Sequence, residues 1–229
     1  MMMCAMLTLL CTTASAKTLV VYYSYTNNCR EIVTTLTSRI EADVLEIQPA
    51  EKGLKYEANG YALGTELLNA IKAAPGDAGS YPAIDPVTIS LGDYETVIIV
   101  TPLWWSQMAA PMQTYLFNYG SQMAGKNVGL IVSSASSGIS GVVADCKRLV
   151  PDGKYFSENL WVNHSSHSNR ASLIQNWLTA VNYNTVTAIN EALAVETIPA
   201  RIYDLNGRLL NQKPSKGLYI INGKKRIIE

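Results

Sequence analysis

Residues Ser24-Tyr25-Thr26-Asn27-Asn28-Cys29 gather hydroxyl and amide side chains between an apolar run and a helical pattern. That combination suits a phosphate. Backbone N–H groups in such a turn, assisted by the positive end of the helix that follows, hold an anion without any lysine. Ser24, Thr26 and Asn28 add side-chain donors; the competing reading is a cluster that only caps the helix. A second segment, Thr101-Pro102-Leu103-Trp104-Trp105, sets two tryptophans side by side after another apolar run. There they offer a stacking surface to a flat ligand, or else cover the helix expected over 111–119. The third segment, 133–141, reads SSASSGISG. Its small residues, Ser134, Ser136, Ser137 and Gly138 among them, let backbone approach a planar edge closely, or form an ordinary connection.

Other reactive types fit no site. His164 and His167, three apart just beyond the last apolar run, are candidate ligands or proton donors at the edge of the site, but with no third ligand in view they read as surface histidines. Ser140 lacks the spacing of a nucleophile elbow, and Cys146 reads as a small core residue.

The elements that must position these segments are legible as short apolar runs. Residues 18–24, 96–101, 127–134 and 159–163 are rich in β-branched and aromatic types and predict buried strands, with 42–47 an alternating fifth suited to a sheet edge. Between them run helical periods. Ile32, Val33, Leu36 and Ile40 share one face, as do Met112, Tyr115 and Leu116, and later Leu173, Ile174, Trp177, Leu178 and Val181. Val142, Val143 and Leu149, with Asp145, suggest another short helix. Residues 50–95, broken by glycine and proline, predict only a short helix around 66–73. Strands alternating with helices imply an α/β fold with a parallel, doubly wound sheet, and in such sheets ligands sit at the carboxyl ends of the strands. All three polar segments follow predicted strands at that end.

From Lys17 to about Val181 the chain resembles the flavodoxin-like, FMN-binding domains, on YSYTNNC at the phosphate loop, TPLWW at one ring-flanking loop and SSASSGIS at the other. The resemblance implies a five-stranded parallel sheet in the order 2-1-3-4-5 with FMN at its carboxyl end. It places Ser24, Thr26, Asn27, Asn28 and Cys29 around the phosphate, Pro102, Leu103, Trp104 and Trp105 on one side of the ring, and Ser134, Ser136, Ser137 and Gly138 on the other. The family's Thr-Gly-Asn-Thr is replaced here by Thr26-Asn27-Asn28-Cys29. Asparagine tolerates the left-handed backbone that glycine supplies, whereas a thiol is a poorer donor than a hydroxyl; Arg30 is a cation close enough in sequence to compensate. Residues 101–109 and 133–141 contain no Asp or Glu, and Asp145 is the nearest acid in sequence, which predicts a comparatively high potential for the second electron. The function implied is electron transfer, or reduction of a small acceptor such as a quinone. The alternative is a binding protein that kept the fold and lost FMN and its redox activity.

Composition agrees with a small-molecule partner. The 229 residues are 48% hydrophobic, and 18 Lys+Arg balance 18 Asp+Glu, so no net charge steers the chain toward nucleic acid or an anionic membrane. Residues 1–16, MMMCAMLTLLCTTASA, read as a signal peptide ending in Ala14-Ser15-Ala16, with a misassigned start as the competing reading. No later apolar run is long enough for a transmembrane segment. Cleavage would leave Cys29 and Cys146, too few for a disulfide scaffold. The flavodoxin-like region is expected over 17–183 and a linker or helix over 184–195. Residues 196–229 carry seven basic and three acidic groups and shift to two short strand patterns joined by turns at 206–207, 214–217 and 222–223. YDLNGRLL, KGLYIING and KKRIIE resemble the last strands of C-terminal sorting domains of the type IX secretion system. That implies an exported protein, periplasmic or on the surface of a Gram-negative cell; the competing reading is a β-hairpin packed on the main domain.

Overall fold

The computed structural model describes residues 17–183, 202–204, 208–210, 216–221 and 224–228. β1 (Thr18–Tyr22) is buried along its whole length and is flanked in parallel by β2 (Asp43–Glu46) and β3 (Thr96–Trp104). β3 then pairs in parallel with a further long strand, Asn127–Ser134. The last place in the sheet is shared by two short segments, Lys154–Tyr155 and Leu160–Asn163, both parallel to Asn127–Ser134. Counted by place, the order is the expected 2-1-3-4-5. The break at 156–159 has a packing cause. Gly129 has no side chain, and a Cβ there would stand 3.0 Å from the Phe156 ring and 3.1 Å from Trp177, so Phe156 leaves the edge to fill that gap.

Alternation along the strands divides the core between two faces. Leu19, Val21, Val97 and Ile99 point to one face, and Val20, Tyr22, Ile98 and Val100 to the other. α1 (Asn28–Thr37) and α5 (Arg170–Ala180) cover the second face through Ile32, Leu36, Ile174 and Trp177. The first face is covered by α2 (Ala58–Ala73), α3 (Ala110–Tyr119) and α4 (Ser140–Leu149). Pro111 stands in the first turn of α3, where its missing N–H costs nothing.

Two elements differ from expectation. α2 is longer than the helix expected at 66–73, because its beginning is a kinked turn in which Asn59, Gly60 and Tyr61 all take positive φ. The strand expected over 96–101 continues to Trp104, turns at Trp105 and Ser106, and returns as β4 (Gln107–Met108), antiparallel to it.

The tail forms a unit of its own. It is an antiparallel sheet of four strands, Ile202–Tyr203, Leu209–Leu210, Gly217–Ile221 and Lys224–Ile228, with the last beside Gly217–Ile221, which in turn pairs with Ile202–Tyr203. The signal peptide expected at 1–16, the linker or helix expected at 184–195 and the turns expected at 206–207 and 222–223 lie outside the described residues, as does the first half of the turn expected at 214–217. Among the described residues no helix is long and apolar enough to cross a membrane.

Candidate functional site

The loop after β1 turns into α1 through Asn27, whose φ of 66° lies in the left-handed region that the family's glycine would occupy. Asparagine holds that turn with a local brace. Its Oδ1 accepts a hydrogen bond of 2.6 Å from Arg30, which also pairs with Glu46 of β2 at 2.6 Å, and the Arg30 N–H reaches Ser24 Oγ at 3.3 Å. Arg30 is thereby turned toward β2 and does not line the cavity beside the loop, so the electrostatic compensation expected of it is absent from the wall. The N–H groups of a helix's first turn have no intrahelical acceptor, and those of Asn28 and Cys29 stand at the start of α1. Cys29 offers only this backbone group: its side chain is 1% exposed, and burial pushes the thiol well above its ordinary pKa while the Ser133 hydroxyl opposes the shift.

The opposite wall is aromatic. Trp104 leans on Tyr56 with ring centroids 4.7 Å apart and meets Tyr23 edge-on at 5.9 Å. Trp105 is 48% exposed and lies against Gly64 of α2, where a Cβ would fall 2.9 Å from the indole, with Tyr61 edge-on at 6.0 Å. Trp105 and Ser106 have φ of 46° and 64°, a two-residue hairpin turn with both central residues left-handed. A bulky residue adopts this conformation only where its surroundings over-determine it. Here they do. Met108 N–H donates to Asp145 Oδ2 at 3.0 Å, Arg148 ties Asp145 (3.2 Å) to Gln113 (2.9 Å), and Gln113 Nε2 donates to the Met108 carbonyl at 2.7 Å. Beneath the turn, Gly141 leaves room for the Ser106 carbonyl, which would stand 2.0 Å from a Cβ.

Together these segments enclose a cavity of about 600 Å³. Of the residues expected at the site, Ser24, Thr26, Asn28, Cys29, Pro102, Leu103, Trp104, Trp105 and Ser134 line it, whereas Asn27, Ser136, Ser137 and Gly138 do not. Asn27 faces Arg30. Ser134 Oγ accepts from Trp161 Nε1 at 2.8 Å and donates to the Ser137 carbonyl at 2.9 Å, and Ser136 to Gly138 lie exposed beyond it.

A flavodoxin family model matches residues 17–181. The chain belongs to the flavodoxin family. Solved structures with the same fold include a Bacteroides eggerthii protein assigned as a flavoprotein, 24% identical over 72% of this chain and 98% of that one, with a TM-score of 0.58. A similarly assigned Bacteroides uniformis protein is 24% identical over 70% and 99% of the two chains, TM-score 0.56. A Lactobacillus acidophilus flavoprotein, solved in complex with FMN, is 19% identical over 68% and 99%, TM-score 0.53.

FMN is the cofactor of the flavodoxin family, and the cavity's donors fit it. Hydroxyls and helix N–H groups stand at one end for a phosphate, and the aromatic wall offers a surface for the ring. Several of the lining residues had no sequence signal. Tyr56, Glu57, Tyr61 and Gly64 come from the irregular stretch before and within α2; Tyr25, Ser133 and Ala135 belong to the polar segments themselves, and His164, expected as a surface histidine, lines the cavity. Glu57 corrects the expectation that no acid stands near the ligand. It accepts a hydrogen bond from the Tyr25 hydroxyl, which also receives the Tyr56 N–H at 3.3 Å. The Tyr25 hydroxyl holds the Glu57 carboxyl below the ordinary carboxylate range, so it is an anion at neutral pH. Asp145, the acid expected to be nearest, is on α4 and engaged with the hairpin. Among the described residues no group of His, Cys, Asp and Glu could hold a metal ion.

Proposed function

We propose that this protein is an exported FMN-dependent electron carrier that passes electrons to a small flat acceptor such as a quinone. The carrying observation is one cavity that joins hydroxyl and helix N–H donors at the start of α1 to an aromatic wall formed by Tyr56, Trp104 and Trp105. Bound FMN supplies the redox chemistry, accepting and passing on electrons, and the protein supplies binding, orientation and electrostatics. Ser24, Thr26 and the N–H groups of Asn28 and Cys29 hold the phosphate; Trp104 and Trp105 cover the ring. The exposed rings of Trp105 and Tyr61 give an apolar acceptor a surface to approach. The left-handed Asn27 supports this reading over a fold that has lost its flavin, because the turn the family builds with glycine is retained without it. Export rests on the apolar N-terminal stretch ending in Ala14-Ser15-Ala16 and on the sorting-like tail.

Titration calorimetry of the full chain with FMN and with riboflavin tests the site. FMN binds the more tightly, and the complex shows flavin absorption in the visible; equal affinity for the two would remove the phosphate from the reading. Trp104→Ala or Trp105→Ala relieves quenching of flavin fluorescence, and quenching unchanged in both variants would make the tryptophans structural only.

A further inference from the structure

Of the five large apolar side chains left exposed among the described residues of the flavodoxin unit, three, Tyr25, Tyr61 and Trp105, stand at the flavin cavity. The other two, Val44 and Trp161, do not line it. Scattered exposure is ordinary, whereas rings gathered at one mouth mark a contact surface. Tyr61 and Trp105 meet edge-on, their planes crossing at 81°, and Tyr25 meets Tyr56 edge-on with centroids 5.1 Å apart.

This aromatic rim carries a fixed negative charge. Glu57 is exposed and is the one carboxylate lining the cavity, and among the described residues no lysine or arginine lines it. The Tyr25 hydroxyl donates to Glu57 Oε2, which ties the carboxylate to a ring of the rim and keeps it ionised. Glu57 makes no capping bond to α2 and no ion pair with the described residues. Lys55, the cation whose charge reaches it, does not line the cavity. The cavity is therefore polarised, with hydroxyl and N–H donors suited to an anion at the start of α1 and a carboxylate set among aromatic rings at the rim.

We propose that the rim formed by Tyr25, Glu57, Tyr61 and Trp105 receives a planar organic cation, an aromatic ring bearing a fixed positive charge, as electron acceptor in preference to a neutral ring of the same size. This rests on the FMN reading above and adds the charge of the acceptor. A flat neutral ring gains only stacking from the aromatic side chains. A cation gains the attraction of their negative faces and of the carboxylate as well, and an anion is repelled by Glu57. The charge also changes in the sense that turnover needs. A monocation that takes up two electrons, together with the one proton an anionic reduced flavin gives up with them, becomes neutral. The product then loses the electrostatic part of its binding and leaves, while the flavin is oxidised again.

The test is isothermal titration calorimetry of the full chain, both loaded with oxidised FMN and free of flavin, with N-methylquinolinium and with quinoline. In mildly alkaline, low-salt buffer quinoline is uncharged, and with oxidised flavin no electron is transferred. The parent binds N-methylquinolinium roughly three- to tenfold more tightly than quinoline, the range for a cation over exposed rings beside a screened carboxylate. Added salt lowers the affinity of the cation and leaves that of quinoline unchanged. Glu57→Gln keeps an acceptor for the Tyr25 hydroxyl and loses the preference, and Tyr61→Leu, with the carboxylate in place, lowers it about twofold. Equal affinities in the parent overturn the inference, as does a Glu57→Gln variant that keeps the parent's ratio. Tetramethylammonium bound as tightly as N-methylquinolinium overturns the planar class. A parent that takes up no FMN overturns the flavin reading instead, and the ratio measured on the flavin-free chain then decides the cation site by itself.

Discussion

Asn27 combines two roles that a glycine would separate: it takes the left-handed φ of 66° and it braces Arg30 through its side chain. Asn27→Gly removes backbone strain and an exposed hydrogen bond together, and these nearly cancel, leaving stability within about 0.5 kcal/mol of the parent. Asn27→Val keeps neither advantage and costs roughly 1–2 kcal/mol, since a β-branched residue is poorly accommodated at positive φ. Urea denaturation of both variants checks this, and a Val variant as stable as the parent would mean the loop has another conformation. Glu57 is the second residue with a definite consequence. A carboxylate lining the cavity disfavours added negative charge on a bound ring, so Glu57→Gln raises the potential for the second electron and Asp145→Asn, whose partner is the hairpin, acts on that potential far less. Spectroelectrochemical titration reads both; equal shifts in the two variants would reject Glu57 as the tuning acid.

The hairpin Leu103–Met108 shows how a strained element is kept in place. Its turn is held from the side by Asp145, Arg148 and Gln113 and from below by the absence of a side chain at Gly141. Gly141→Ala introduces a methyl group 2.0 Å from the Ser106 carbonyl, a contact that neither helix nor turn can relieve by moving a side chain. The variant loses about 1–3 kcal/mol of stability and, as Trp105 is displaced, weakens FMN binding. Thermal unfolding and flavin titration measure the two effects separately, and a variant with unchanged flavin affinity would show that the position of the turn does not matter for the site. The pairing of β3 to β4 was not legible beforehand. A tryptophan at the first central position of such a turn is contrary to local preference, and only the contacts around it make the conformation tenable.

At the scale of the molecule, the flavodoxin unit ties the start of its first strand to the segment after α5: Tyr183 and Thr18 are joined by a buried hydrogen bond of 2.8 Å between their hydroxyls. The tail forms its own antiparallel sheet. A chain ending at Val195 therefore unfolds at the temperature of the full chain's flavodoxin unit and binds FMN with unchanged affinity; on the export proposed above, its distribution between periplasm and cell surface shifts as well. Calorimetric scanning and fractionation test the two halves of this prediction; loss of folding on truncation would make the tail part of the core.

The five strand places, their parallel order and the helices between them were legible because hydrophobic periodicity is a local property, carried by runs such as 18–24 and 127–134. The same holds for the phosphate loop and the Trp104-Trp105 pair, whose residue types sit directly after strands. What surrounds them was decided by tertiary structure. Arg30 lies beside the phosphate loop in sequence, yet Glu46 on the neighbouring strand draws it away. Ser136 and Gly138 share a segment with Ser134, but the bonds of Ser134 to Trp161 and to the Ser137 carbonyl leave them outside the cavity. Tyr56, Glu57 and Tyr61 enter it from a stretch with no periodic signal, since which side chains meet at the end of a sheet depends on how loops distant in sequence are folded over it, and no local pattern records that.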